Sequence, residues 1–124
     1  MKVLFVCSGN DFGFYPMEIG PQVKEVGDAI SELGVEIEYF PIKGHGLLGY
    51  AKNYWRLYKK IKHNNFNIVH AHNGYSFLLV SLIFARIKVV VSFMGSDLLG
   101  TVDTLGNYSK KGKLFSRIFV AIAK

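Results

Sequence analysis

The sequence predicts an α/β fold in which an open parallel sheet carries helices on both faces. Three observations support this prediction. Short apolar runs alternate with amphipathic helical segments along the chain, the connections between them are short, and the composition is that of one globular domain. The chain has 124 residues, of which 50% are hydrophobic and 19% are charged, which is unlike a disordered segment or a coiled coil. We therefore expect a single domain over residues 1–124.

The first three elements are predicted to be a strand, a helix and a second strand. Residues 2–7 are rich in Val and Phe and stop at turn residues, which is typical of a buried strand. Pro21 suits the first position of a helix and Gly34 suits a left-handed cap at its end. The expected apolar face of this helix comprises Val23, Val26, Ala29, Ile30 and Leu33. Residues 35–40 alternate in polarity and predict the second strand, and Pro41, Gly44 and Gly46 predict a loop after it.

The second half of the chain continues the alternation of helices and strands. Residues 47–62 place apolar side chains at helical spacing, with the cations Lys52, Arg56, Lys59 and Lys60 between them, and so predict a basic amphipathic helix. Residues 68–72 predict a third strand, residues 74–85 an almost entirely apolar helix, and residues 89–93 a fourth, β-branched strand. A last helix is expected from about residue 113. The whole order is typical of a Rossmann-like domain.

This architecture predicts where a ligand binds. In an open parallel sheet, ligands lie beyond the carboxyl ends of the strands, which here means residues 8–13, 41–46, 72–75 and 94–97. The first of these loops lacks the glycine fingerprint of dinucleotide-binding proteins, and the chain contains no phosphate-binding loop motif. The sequence therefore argues against nicotinamide chemistry and nucleotide hydrolysis, and we expect no cofactor.

Charge is distributed unevenly along the chain. Residues 1–38 carry two cations and seven anions, whereas residues 39–124 carry thirteen cations and only two anions. The basic part would attract an anionic partner such as nucleic acid, phospholipid headgroups or a phosphorylated substrate. Nucleic acid is the weakest of these, because the aromatic side chains of the basic helix are expected on its core face and no nucleic-acid motif is present.

The composition also bears on location. The apolar start of the chain is too short for a secretory signal, and residues 66–85 contain too many polar side chains for a membrane span. With Cys7 as the sole cysteine, no disulfide can form within the chain, and a small buried thiol is a more natural interpretation of it than a nucleophile. We expect a cytoplasmic protein.

Two histidines occupy the predicted third strand at a spacing that puts both imidazoles on one side of it. His70 lies deeper in the strand and is interpreted as a hydrogen-bonded core residue, whereas His72 is expected at the mouth of the cleft, where it could contact a ligand or transfer a proton. No third ligand accompanies them, so we expect no metal site.

The turn after the fourth strand reads Gly95-Ser96-Asp97. These residue types suit a tight turn whose backbone N–H groups point into the cleft. Two interpretations of Asp97 remain open, since it could cap a short helix or contact a substrate.

Taken in order, these segments resemble the amino-terminal domain of family 4 glycosyltransferases of the GT-B fold. The most specific parts are the His70-Ala71-His72 strand and the Gly95-Ser96-Asp97 turn, at the ends of consecutive predicted strands. The resemblance implies a retaining enzyme that transfers a sugar from a nucleotide sugar to a glycan or lipid-linked acceptor. It also implies a second, nucleotide-binding domain with paired glutamates, which this chain lacks and for which we would look downstream in the gene.

The resemblance assigns roles to individual residues. Gly13 would lie near the donor phosphates, His72 and Asn73 near the acceptor or sugar, and the turn residues Gly95, Ser96 and Asp97 along the cleft floor. His72 is then the candidate catalytic residue. Met94 departs from the pattern, because similar sequences often have a histidine there that contacts the donor sugar, and a thioether can neither donate that hydrogen bond nor carry charge.

A peripheral contact with the inner face of a membrane is a further expectation. Many similar enzymes build lipid-linked glycans, and Lys52, Arg56, Lys59 and Lys60 would face the anionic surface. The alternative is a solvated helix face whose aromatic side chains pack on the sheet. A second functional class also stays open, namely a non-catalytic Rossmann-like binding module that engages its partner through the basic surface.

Overall fold

Four parallel strands form the sheet at the centre of the fold. A computed structural model describes residues 1–9, 19–44, 46–83, 87–93, 95–99, 105–107 and 109–122. The strands are β1 (Lys2–Ser8), β2 (Glu36–Ile42), β3 (Ile68–His72) and β4 (Lys88–Ser92), in the spatial order β2-β1-β3-β4. Every pair of neighbours is parallel, which confirms the predicted open parallel sheet of a Rossmann-like α/β fold.

Helices lie on both faces of this sheet. They are α1 (Pro21–Glu32), α2 (Gly46–His63), α3 (Gly74–Ser81), α4 (Gly95–Leu99) and α5 (Lys110–Ile122). Val23 of α1 packs on one face with Val3, Phe5 and Cys7 of β1, whereas α2 and α3 cover the opposite face. Helix α3 contacts both α2 and α5, so three helices share that side. Among the described residues, no helix has the length and apolar character needed to cross a bilayer.

The observed bounds of the strands follow the predictions closely, with one correction. Strand β3 covers the predicted residues, but β2 continues through Pro41 to Ile42, where a loop was predicted. Proline can stand here because β2 lies at the edge of the sheet, where a missing N–H need not cost a ladder hydrogen bond. Pro41 therefore extends the strand instead of ending it.

Helix α1 has a narrower buried stripe than its sequence suggests. Val23 and Gly27 are buried and Ile30 packs against the same core, at positions one and two helical turns apart. Val26 and Leu33 of the predicted apolar face are exposed, to 43% and 81%. Ala29 is exposed as well, so the prediction was wrong for these three residues, because the helix meets the sheet along a single row of side chains. Gly34 has the predicted left-handed backbone, with φ of 80°.

Helix α2 is anchored by a buried polar residue. Leu57 and Ile61 enter the core, and Asn53, only 1% exposed, lies on the same side of the helix. Its Nδ2 donates to the carbonyls of Lys43 and Gly49, each at 2.7 Å, so the amide is hydrogen-bonded where it is buried. These bonds hold the segment after β2 against the helix.

The opposite side of α2 carries two large apolar side chains. Trp55 is 61% exposed, although the aromatic side chains of this helix were predicted on its core face, and Leu48 is 88% exposed. The core side is instead filled by Asn53, Leu57, Ile61 and three half-buried tyrosines, which leaves no room there for the indole.

Candidate functional site

The carboxyl ends of the four strands meet at one edge of the sheet, as the parallel order requires. Two backbone hydrogen bonds join neighbours there: the Gly9 amide donates to the Ile42 carbonyl at 2.9 Å, and the Asn73 amide donates to the Ser92 carbonyl at 3.0 Å. The predicted ligand loops therefore start side by side. Gly13 and Met94 lie outside the described residues, so their predicted roles stay predictions.

His70 and His72 form a small aromatic cluster on the α1 side of the sheet. Their ring centroids are 4.1 Å apart, and both rings contact Phe5 of the neighbouring strand, at 5.0 Å from His70 and 4.4 Å from His72. The His70 Nε2 and the Ser92 Oγ are hydrogen-bonded at 2.8 Å. His70 is thus hydrogen-bonded, as its sequence position indicates.

The relative depth of the two histidines is the reverse of the prediction. His72, expected at the mouth of the cleft, is only 4% exposed, whereas His70 is half-buried. The physical reason is that the His72 ring packs against both Phe5 and His70 at the end of the central strands. A ligand can reach His72 only if the groups that cover it move.

Burial also sets the charge of this pair. It lowers the pKa of His72 to about 4, with the neighbouring His70 as the second cause, and it lowers the pKa of His70 as well. Both rings are therefore neutral at pH 7. Within the described part of the chain, neither the His72 Nε2 nor the Ser76 Oγ finds a hydrogen-bond partner, although both are buried. A neutral imidazole of this kind can donate to or accept from a hydroxyl group.

Asn73 links β3 to α3 in an unusual backbone conformation. Its φ of 102° is rare for any residue other than glycine, and its Oδ1 accepts a hydrogen bond from the Ser76 amide at 2.8 Å, which caps α3. Strained residues of this kind cluster at ligand-binding edges. The side-chain oxygen of Asn73 is engaged in the cap, so a ligand would meet the amide group or the backbone at this position.

The predicted turn after β4 forms the first turn of a short helix. Helix α4 begins at Gly95, so Asp97 lies within the helix instead of at the preceding cap position. Gly95 is exposed, and no heavy atom lies within 4 Å of the position that a Cβ would take there. The side chains of Ser96 and Asp97 are outside the described set.

The described residues at this edge include neither a metal-binding cluster nor an activated thiol. Among the described residues, no three His, Cys, Asp or Glu side chains come together as a metal site. Cys7 is buried, which raises the pKa of its thiol to about 12, so it is protonated at neutral pH and a poor nucleophile. The described groups at the edge are suited to hydrogen bonding with a polar, uncharged ligand.

The predicted membrane-facing cations divide into two sets. Lys52, Arg56 and Lys59 lie on the exposed side of α2. Lys60 is partly buried and its Nζ lies 2.6 Å from Glu38 Oε2. This ion pair connects α2 to the edge strand β2, and for Lys60 it corrects the expectation of an outward-facing side chain.

The same carboxylate binds a second cation. Lys2 Nζ lies 2.6 Å from Glu38 Oε1, and hydrogen bonds from Lys2 and Lys60 lower the pKa of Glu38. Through its ion pair with Lys60, Glu38 links the acidic amino-terminal part of the sequence to the basic remainder.

Sequence reasoning missed two residues of this region. Ser92 bonds to His70, and its signal was visible as the polar residue that ends the valine run of β4. Ser76 is 1% exposed in the first turn of α3, and nothing in the sequence distinguishes it from a surface serine.

Comparisons of the chain with protein families, with curated proteins and with solved structures find no match.

Proposed function

We propose that the chain is the acceptor-side, amino-terminal domain of a retaining glycosyltransferase that transfers a sugar from a nucleotide sugar to a glycan or lipid-linked acceptor. Its place is cytoplasmic, with peripheral contact to the inner face of a membrane. The observation that carries the proposal is the adjacency of β3 and β4. One of the two most specific motifs of the resemblance forms the end of β3 and the other comes shortly after β4, and the ends of these strands are joined by the Asn73 to Ser92 and His70 to Ser92 hydrogen bonds.

The chemistry of this edge agrees with a hydroxyl-rich ligand. His70 and His72 are neutral at pH 7. Asn73, directly after β3, has a backbone conformation that is rare outside glycine. Neutral donors and acceptors suit sugar hydroxyls, whereas the stabilisation of the leaving phosphate would come from the nucleotide-binding domain that the resemblance implies.

The proposal predicts saccharide binding without sugar transfer by the 124-residue chain. We expect an oligosaccharide panel to perturb amide NMR resonances at the carboxyl edge, at Gly9, Asn73 and Gly95, and to leave the opposite edge at Gly34 and Asn67 unchanged. Incubation with nucleotide sugars and acceptors should give no turnover above a buffer blank. Calorimetry with uridine and guanosine diphosphates should give weak affinity, because the nucleotide half is expected elsewhere.

Three results would contradict this assignment. They are perturbations confined to the opposite edge, sugar transfer by this chain alone, and sub-micromolar affinity for a nucleoside diphosphate. Anionic partners that bind the basic surface while saccharides leave the edge unperturbed would favour the non-catalytic binding module.

The peripheral membrane contact rests on α2. Its exposed side combines Trp55 and Leu48 with Lys52, Arg56 and Lys59, which is the pairing of an interfacial aromatic ring with cations that favours anionic headgroups. The Arg56 guanidinium also lies 5.4 Å from the centroid of the Phe40 ring, so part of its side chain is held against the protein.

Vesicle co-sedimentation tests this contact. Each cation near an anionic surface contributes about 1 kcal/mol, so Lys52→Gln/Lys59→Gln should weaken binding to phosphatidylglycerol vesicles by about thirtyfold. Binding should also fall as salt shortens the screening length. Equal binding to neutral and anionic vesicles, or no loss in the variant, would leave α2 as an ordinary solvated helix.

A further inference from the structure

We infer that a second surface, formed by α4 and α5, also binds an anionic lipid surface. We define the α4–α5 surface by Leu98 and Leu99 of α4 and by Lys110, Leu114 and Arg117 of α5. This inference rests on the proposed membrane association, but it uses residues that the resemblance does not involve and that lie on different helices from the α2 cations.

Helix α5 is fixed to the domain through its opposite side. Phe119, 1% exposed, packs against Gly74 at the start of α3 and against Phe93, while Phe115 contacts Tyr75. With these aromatic side chains directed into the protein, the helix presents another row outward. Lys110, Leu114 and Arg117 follow at spacings of four and three residues and are all exposed, so they form one face.

Helix α4 lies beside α5 and carries further exposed apolar side chains. The Ser116 hydroxyl donates to the Leu98 carbonyl, which joins α4 to α5. Leu99 is 68% exposed, Leu114 is 58% exposed and Leu98 is 44% exposed. Aliphatic side chains this exposed beside cations are typical of surfaces that insert at the boundary between headgroups and acyl chains.

The charge of the segment identifies the kind of partner. Residues 104–124 contain five cations and no acidic residue. Among the described residues, neither Lys110 nor Arg117 forms an ion pair. Exposed leucines beside exposed cations fit an anionic bilayer, whose headgroups neutralise the charge while its acyl region accepts the leucines. A soluble polyanion would use the cations and leave the leucines in water.

The two surfaces belong to helices on the same side of the sheet. Helices α2 and α5 both pack against α3, on the side of the sheet opposite α1. Two weak contacts in one molecule strengthen each other, since the second forms at high effective concentration.

The test compares five forms of the 124-residue chain, namely wild type, Lys52→Gln/Lys59→Gln and three further variants, by co-sedimentation with vesicles of phosphatidylglycerol and phosphatidylcholine. Lys110→Gln/Arg117→Gln should weaken binding by about thirtyfold, and Leu99→Ser/Leu114→Ser by about fivefold for each leucine. The control Gln22→Glu/Ser31→Glu lowers the net charge by the same two units on the exposed side of α1 and should bind within about threefold of wild type. Urea unfolding checks that each exposed-site variant keeps its fold.

The outcomes separate this inference from the function on which it rests. Weaker vesicle binding of both Lys110→Gln/Arg117→Gln and Leu99→Ser/Leu114→Ser, with the control unaffected, supports it. Loss only in Lys52→Gln/Lys59→Gln overturns it and leaves the α2 contact in place. Loss in the charge variant but not in the leucine variant overturns it in favour of a soluble polyanion. Equal loss in the control also overturns it, because net charge alone would then explain the binding.

Discussion

Replacing Gly74 with alanine is expected to lower the free energy of unfolding by about 2 kcal/mol. Gly74 is buried at the start of α3, and an added Cβ would overlap the ring of Phe119. That ring cannot simply swing away, because it is buried among Phe93, Tyr75 and Phe115. The strain must therefore be relieved by displacing α5 from α3.

Urea unfolding measures this effect, and two variants control it. Gly95→Ala places a methyl group on a helix where nothing lies within 4 Å, and it should leave the free energy of unfolding within about 1 kcal/mol of wild type. Gly74→Ala should also cost less when it is made in the Phe119→Leu background, because the obstructing side chain is then shorter. A similar loss at Gly95, or the same cost of Gly74→Ala in both backgrounds, would show that the Phe119 contact is not the cause.

Acidification is expected to destabilise the protein by about 3 kcal/mol through His72. Its pKa in the folded chain is about 4, below the ordinary value of 6.5. The unfolded chain therefore binds the proton first as the pH falls. The stability that neutral His72 contributes is fully present above pH 6.5, is lost between pH 6.5 and about 4, and does not change further below that. The pKa of His70 is also lowered, so its protonation at acidic pH reduces the stability of the fold as well.

The pH window separates this effect from that of the carboxylates. Glu38, whose pKa is lowered by Lys2 and Lys60, destabilises only as the pH falls below its ordinary value of 4.5, so the range from pH 6.5 to 5 reports on the histidines. Free energies of unfolding in urea should have a clear positive slope with pH in this range for wild type and a smaller one for His72→Phe. The exposed His63→Gln should behave as wild type. An unchanged slope in His72→Phe would rule out His72 as the source.

The sheet and the order of its elements were predictable because they depend on hydrophobic patterns that extend over several residues, so no single residue decides them. Residues 68–72 and the helix start at Pro21 were placed correctly, since a short run that begins with Ile and Val favours a strand and a proline favours the first turn of a helix. Pro41 was misassigned because the sequence does not say which strand lies at the edge.

Burial was harder to predict because it depends on partners far away in the chain. Asn53 is buried since the Lys43 and Gly49 carbonyls receive its amide, and Trp55 is exposed since other side chains fill the core side. The candidate site shows the same limit. Its strands could be placed, but the depth of His72 depends on Phe5, which reaches it across the sheet.

The strands of the sheet are buried to different extents, which implies that some of them open locally more often than others. Strand β1 is central, with Leu4, Phe5 and Val6 fully buried, whereas Val89 and Val90 of the edge strand β4 are more than two-fifths exposed. Amide protons of β4 should therefore exchange with solvent through small fluctuations that leave β1 closed. The end of β3 therefore lies between the central strand β1, which opens rarely, and the edge strand β4, which opens more often. Rearrangement around His72 and Asn73 can then take place at the cost of a local fluctuation, without unfolding of the domain.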